Sequence, residues 1–227
     1  MKKHPGCLCA ALLLGLMAEG AMAETASGGL KIGPAFWKER SLYNDSKKDD
    51  SGMMMGPAFL LRLGRDNDWS LSGEALYGTF GDLDRADVDV MFGYEFSSMF
   101  TFFACFKYAW HDFGPSNDPD VPERVTTTGV GGGLGATAKA PLGDTGFLVF
   151  LTAKVMPMRM ETDVPDADTT AWMWSYDGGI GYGRDLRTLS GGSVYGMLGY
   201  RHQQLRGGEF NETLQMPFIE AGFKQVF

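Results

Sequence analysis

Apolar residues alternate with small or polar residues along most of the chain after residue 23. The clearest run is residues 86–96 (ADVDVMFGYEF), where every even-numbered residue is apolar or aromatic. Successive side chains of a strand point to opposite faces, so this period of two predicts a β-strand with one apolar face. Similar runs begin near residues 28, 53, 69, 100, 125, 146, 171, 193 and 213. The sequence therefore predicts about ten strands, or eight if runs counted here as separate strands are merged.

The connections between these runs alternate in length. Residues 39–52, 81–85, 113–124, 161–170 and 206–212 form mostly longer, acidic connections, and shorter turns lie between them. An even strand count with short turns at one end and longer loops at the other is typical of transmembrane barrels. We expect an all-β fold, a closed antiparallel transmembrane β-barrel, with both termini at the end that carries the short turns.

Charged residues share a face with glycine, whereas aromatic residues occupy the opposite face. In a soluble barrel this charged face would form the core, where each unpaired charge costs several kcal/mol. In a membrane barrel it lines a hydrated interior, and the aromatic face contacts lipid. The predicted lumen charges are Lys31, Arg62, Glu74, Asp87, Asp89, Glu95, Lys107, Lys139, Lys154, Asp177, Arg201, Glu220 and Lys224. The predicted interfacial aromatic girdle comprises Tyr77, Tyr108, Trp110, Trp172 and Trp174.

The first 23 residues have the pattern of a signal peptide. Lys2 and Lys3 precede an apolar run at residues 8–17, and residues 21–23 (AMA) form a small-x-small cleavage site. The run is shorter than the ~20 apolar residues that a spanning helix needs. We expect cleavage between Ala23 and Glu24, which leaves residues 24–227 as one barrel domain. Cys105 is then the single cysteine, so no internal disulfide is expected.

The last fifteen residues (TLQMPFIEAGFKQVF) alternate up to a terminal aromatic residue. This segment resembles the closing strand of bacterial outer-membrane β-barrels, and its insertion signal would comprise Gly222, Phe223 and Phe227. The resemblance implies a Gram-negative outer membrane as the location and indicates no particular subfamily. It also implies the barrel-assembly machinery, outer-membrane lipids and lipopolysaccharide as partners. Nothing in the pattern specifies an oligomeric state.

The net charge is −8, and removing the basic signal peptide leaves −9. The acidic connections account for that charge, which predicts a rim that attracts cations and repels anions. An acidic exported chain argues against nucleic-acid binding. The acidic runs at 118–123 and 161–168 lack the spacing of a calcium loop, so no metal site is expected, and no cofactor motif is present.

Five residues are weak candidates for catalysis at the outer rim: Asp82, Asp84, His111, Asp112 and His202. They resemble, in type, the two aspartates and the Asp–His pair of ten-stranded outer-membrane proteases, where histidine acts as the base. Lipid A deacylases use a histidine and a serine near the C-terminal strands, and His202 has no serine close by. We assign no catalytic residue, and a non-enzymatic barrel is the favoured interpretation.

Three functions remain open at this point. The protein is a structural barrel or a narrow cation-preferring pore for small solutes, an adhesion barrel acting through acidic external loops, or a rim hydrolase. A ten-stranded interior is narrow, since barrels of about eight strands are filled by side chains. Alternate glycines at 129–135 either leave space for a pore or relieve crowding between tilted strands.

Overall fold

A computed structural model describes residues 23–40, 47–64, 68–113, 125–163, 169–185, 192–208 and 210–226. These ranges contain ten strands: β1 (Ala23–Arg40), β2 (Lys47–Leu63), β3 (Trp69–Phe80), β4 (Leu83–Ser97), β5 (Phe100–Phe113), β6 (Val125–Pro141), β7 (Phe147–Thr162), β8 (Thr169–Asp185), β9 (Gly192–Gly207) and β10 (Phe210–Val226). The prediction of ten strands is confirmed. The predicted signal peptide before Ala23, most of the 113–124 connection and Phe227 lie outside the described residues. No helix in the described ranges is long and apolar enough to cross a membrane.

Each strand pairs antiparallel with its neighbours in sequence, and β1 pairs with β10 to close the barrel. The closing register aligns Thr25 with Val226 and Lys31 with Glu220. Closure leaves no unpaired sheet edge, which is the condition for a β-structure in hydrocarbon. We call the end that carries Ala23 and Val226 the inner end, and the end that carries the Gly81–Asp82 turn the outer end.

The strands extend further toward the outer end than the sequence predicted. The 39–52 connection shrinks to the residues between Arg40 and Lys47, and 206–212 shrinks to the residues between Gly207 and Phe210. Connection 161–170 is shortened at both ends, and 81–85 is reduced to a two-residue turn. Gly81 has a φ of +54°, a conformation that favours glycine in tight hairpins. A strand therefore continues through polar residues as long as its backbone is paired with a neighbouring strand.

Apolar side chains cover the outside of the barrel. Leu30, Leu134, Leu198 and Ile219 are each more than half exposed, whereas a soluble protein would bury such residues. Tyr77, Trp172 and Trp174 of the predicted girdle are exposed near the outer end. A second aromatic group, unpredicted, lies near the inner end: Trp69 packs 5.1 Å from Phe92 and 5.0 Å from Tyr94, and Phe147 packs 4.8 Å from Tyr182. Two aromatic belts around an apolar band match the two interfaces of a bilayer.

Candidate functional site

The centre of the barrel holds a group of buried ion pairs around Glu74. Lys31 Nζ lies 2.6 Å from Glu74 Oε2 and 3.3 Å from Glu220 Oε2. Arg201 contacts Glu74 through one guanidinium nitrogen and Asp177 through two others, with Nε 2.9 Å from Asp177 Oδ1. The Lys31 ammonium also sits 4.5 Å from the centre of the Phe218 ring. These contacts therefore join five strands across the interior: β1, β3, β8, β9 and β10.

A second group of ion pairs runs toward the outer end. Asp89 accepts hydrogen bonds from Lys107 at 2.9 Å and Lys154 at 2.6 Å. Lys107 also lies 3.1 Å from Asp87, which accepts two hydrogen bonds from Arg85 at 3.1 and 3.0 Å. Asp89 and Lys107 are completely buried. Removing one member of such a group costs ~3–5 kcal/mol, because its partner remains buried without compensation.

The predicted lumen charges differ in how far water reaches them. Eight are buried inside the barrel: Lys31, Glu74, Asp87, Asp89, Lys107, Lys154, Arg201 and Glu220. Glu95 accepts hydrogen bonds from Arg62 at 2.5 Å and Lys139 at 2.9 Å near the inner end, and these three are only part-buried. Asp177 is part-buried beside Arg201, and Lys224 is exposed at the inner end.

Two buried charges, Arg85 and Glu212, were missed because they had been placed in loops. Both continue the alternation of their strands, Arg85 two residues before Asp87 and Glu212 two residues before Leu214. Arg85 Nη1 lies 3.7 Å from Glu212 Oε2. Extending the period-two pattern across the polar residues would have found both, and it places them in the interior near the outer end.

A cavity of about 140 Å³ lies beside the Glu74 group. Lys154, Ser175 and Arg201 form part of its polar wall, and Phe150 and Met91 form part of its apolar wall. A cavity of this size with polar groups in its wall has room for a few water molecules.

Apolar side chains fill most of the outer half of the interior, beside the Arg85–Glu212 ion pair. Trp37, Phe80 and Leu83 are completely buried there and pack in one cluster with six others: Ala35, Met54, Leu76, Leu214, Met216 and Phe218. We call this cluster the outer plug. Trp37 packs against Phe113 with ring centroids 5.8 Å apart.

The alternate glycines of β6 relieve crowding rather than open a passage. A Cβ on Gly129 would lie 2.7 Å from Met160 Sδ, and one on Gly131 would lie 2.6 Å from Met158 Cγ. Real Cβ atoms do not approach other atoms so closely, so the glycines are needed to admit the methionines of β7. The space that they leave is already occupied.

The weak catalytic candidates are divided between the two faces of the wall. His111 is buried inside, with Nδ1 3.6 Å from Glu212 Oε1, and Glu212 also accepts a 3.4 Å hydrogen bond from Trp37 Nε1. Asp84 and Asp112 are paired across β4 and β5 on the outward face. The structure brings these two aspartates together but keeps them apart from the His111 ring.

The remaining candidates are also separate from His111. Asp82 is exposed in the Gly81–Asp82 turn. His202 lies on the outward face of β9 and stacks on Tyr176, with ring centroids 4.8 Å apart. In the described part of the chain, no three imidazole, thiol or carboxylate side chains are grouped to hold a metal ion. Most residues of the acidic runs considered for calcium lie outside that part.

No protein-family model matches the chain. No curated protein matches it either. Among solved structures, the chain is similar to the outer membrane protease OmpT from Escherichia coli, with 11% identity and a TM-score of 0.47, covering 89% of this chain and 96% of that one. It is also similar to the translocator domain of the autotransporter NalP from Neisseria meningitidis, with 10% identity and a TM-score of 0.46, covering 98% and 94%. At these values the likeness carries no information about function.

The barrel itself defines the class of protein. Ten antiparallel strands close on themselves, the outside is apolar between two aromatic belts, and the buried charges face inward and form ion pairs with one another. This is a closed transmembrane β-barrel.

Proposed function

We propose that this protein is a structural barrel of the outer membrane whose interior is closed to solutes. The observation that carries the proposal is the outer plug, which fills the interior from β1 to β4 and β10 with side chains that are at most 4% exposed. The buried methionines of β7 and β8 fill the opposite side of the interior. A narrow barrel filled in this way resists solute passage, whereas open aqueous channels belong to barrels of 16–18 strands.

The outer membrane is proposed as the location because the chain combines an export signal with barrel architecture. Strand β1 begins at Ala23, so cleavage before Glu24 would release a chain that starts almost directly with its first strand. The inner end is then the periplasmic end, and the C-terminal strand is the part presented to the assembly machinery. Mass spectrometry of the protein from outer-membrane fractions is expected to give a mass that begins at Glu24. An intact signal segment would overturn this part.

Conductance in planar lipid bilayers tests the closed interior. The wild-type protein is expected to show no conductance steps. A variant with Trp37→Ala, Phe80→Ala and Leu214→Ala removes bulk from the outer plug, and we expect it to show discrete steps. Phe36→Ala is the matched control, because Phe36 neighbours Trp37 but faces outward and is 45% exposed.

Steps from the wild-type barrel would replace the proposal with the pore hypothesis, and a preference for potassium over chloride would then fit the acidic rim. If the plug variant shows no conductance steps while its heat-modifiable gel migration is intact, the outer plug is not the barrier to solutes.

A further inference from the structure

Lys154 is the least compensated of the five buried cations in the described part of the chain. The other four each have two carboxylate partners: Lys31, Arg85, Lys107 and Arg201. Lys154 has one, Asp89, which accepts its hydrogen bond at 2.6 Å and also binds Lys107. An ammonium group carries three N–H donors. Two donors of Lys154 therefore have no partner among the described residues.

A second donor without a partner lies directly beside Lys154. Ser175 of β8 is the Cα partner of Lys154 on β7, and both side chains face inward. Directly opposed residues of antiparallel strands have Cβ atoms about 4.5–5.5 Å apart. Ser175 is 3% exposed, and its hydroxyl has no hydrogen-bond partner within the ranges that the structure describes. Since buried polar groups are normally hydrogen-bonded, this pair of donors points to an acceptor that the protein does not supply.

Lys154 and Ser175 both line the cavity beside Glu74. These two residues are 8% and 3% exposed. Phe150 and Thr152 precede Lys154 on β7, lie nearer the inner end of the barrel, and are part-exposed where they line the same cavity. The cavity therefore opens toward the inner end, and the two donors lie at its buried end.

The size of the cavity and its apolar wall limit what can occupy it. Its volume of about 140 Å³ is close to that of an engineered cavity of ~150 Å³ that binds benzene. It therefore has room for one molecule of roughly six non-hydrogen atoms. Met91, Phe150 and Met197 form part of its apolar wall. A molecule that fits has an acceptor group at one end and an apolar part at the other.

We propose that this cavity binds one small monocarboxylate of about the size of butyrate, with its carboxylate at Lys154 and Ser175. An ionised carboxylate only accepts hydrogen bonds, and its two oxygens can accept from both donors at once. It also gives Lys154 the second carboxylate that the other four buried cations already have. The alkyl part of the ligand lies against Phe150 and Met197. Entry is from the inner end, so the site does not depend on the outer plug, and its failure would leave the closed interior untouched.

Equilibrium dialysis with radiolabelled butyrate tests the site. The complete barrel is purified from membranes in uncharged detergent micelles, dialysed at neutral pH, and compared with empty micelles. Saturable binding of one butyrate per barrel is expected, and butanol or butylammonium at the same concentration is expected not to displace it. The absence of saturable binding would show that the cavity takes up water only. Displacement by butanol as effective as by unlabelled butyrate would show that the carboxylate is not recognised. Either result overturns the proposal.

Two variants remove the donors one at a time. Ser175→Ala deletes the hydroxyl without changing any charge and is expected to weaken butyrate binding roughly 10-fold, the loss typical of one hydrogen bond to a charged group. Lys154→Met removes the ammonium while Asp89 keeps Lys107 as a partner, and it is expected to abolish saturable binding. Unchanged heat-modifiable migration shows that each barrel is folded. Wild-type affinity in a folded Ser175→Ala barrel would contradict the assigned position of the carboxylate.

Ser72→Ala and Lys139→Met are the matched controls. Ser72 and Lys139 also face inward, but they are part-exposed nearer the inner end and do not line the cavity. Lys139 also has a single carboxylate partner, Glu95, at 2.9 Å. Both controls are expected to bind butyrate like the wild type. Equal loss of binding in the two lysine variants would assign it to the general positive charge of the interior and overturn the site.

Discussion

The inner and outer halves of the interior are built on the same alternating strands but have different contents. Near the inner end, the inward positions carry small or polar residues such as Ser72, Thr101, Thr137 and Gly179, which are part-exposed. Near the outer end, the inward positions carry Trp37, Phe80 and Leu83, which are completely buried. Buried ion pairs begin where the two halves meet, around Glu74 and Asp89, and continue to Arg85 and Glu212 beside the outer plug. The barrel is thus a hydrated inner vestibule that ends at a charged layer, with an apolar plug and its adjoining ion pair beyond it.

The difference shows that an inward position in a narrow barrel has no fixed polarity. Polar residues suffice where water enters from the inner end, but closer to the outer end the interior is too crowded for water. In that crowded region the stable arrangements are packed apolar side chains and ion pairs whose members satisfy each other's charge and hydrogen bonds. The depth to which water enters the interior therefore decides what each inward charge contributes to stability.

The largest effect is expected from breaking the charged layer. Asp89→Asn leaves Lys107 and Lys154 buried without their shared carboxylate and is expected to cost ~3–5 kcal/mol of unfolding free energy. Urea unfolding of the barrel in micelles, followed by its heat-modifiable migration, measures this loss. Glu95→Gln removes a carboxylate of the inner vestibule that also has two cationic partners, and its expected cost is about 1 kcal/mol or less. Similar costs for the two variants would contradict the distinction between a dry layer and a hydrated vestibule.

A smaller effect is expected from overfilling the interior at the middle of β6. Gly133→Ala would force a Cβ to 2.1 Å from the Val155 carbonyl oxygen and 2.5 Å from Met156 Cβ, and it is expected to cost about 1–3 kcal/mol. Gly132→Ala is the matched control on the same strand, because its Cβ would face outward and meet nothing closer than Cys105 O at 3.8 Å. The control is expected to stay within about 0.5 kcal/mol of wild type. If both variants unfold at the same urea concentration, the interior beside Gly133 has unfilled space.

The smallest effect is expected at the two histidines. His111→Gln removes a ring that packs at 6.2 Å from Phe113 and lies against Glu212, and we expect a loss of about 1 kcal/mol. His202→Gln changes only an outward side chain stacked on Tyr176 and is expected to stay within about 0.5 kcal/mol. The same unfolding assay compares them. A greater loss of unfolding free energy for His202→Gln than for His111→Gln would show that contacts on the outward face contribute more to stability than those in the interior.

The faces of the strands were predictable from local pattern. Asp87, Asp89 and Glu95 were placed inward, and Val88, Val90 and Phe92 outward, as the structure has them. The ends of the strands were less predictable, because turn-forming and charged residues favour a loop wherever no partner strand is visible. Arg85 and Glu212 were missed for that reason. In the structure, antiparallel pairing continues through both positions.

The alternation of residues by itself determined the β class, the number of strands and the side of the wall that each charge occupies, because a period of two is a local property of the backbone. The tertiary structure alone decided which charges meet and how full the interior is. Lys31 and Glu74 are 43 residues apart, and Lys154 and Asp89 are 65 apart, so their pairing depends on closure and register across the barrel. The glycines of β6 illustrate the same limit. Their spacing is visible in the sequence, but whether it creates a passage depends on the methionines that the next strand places over them.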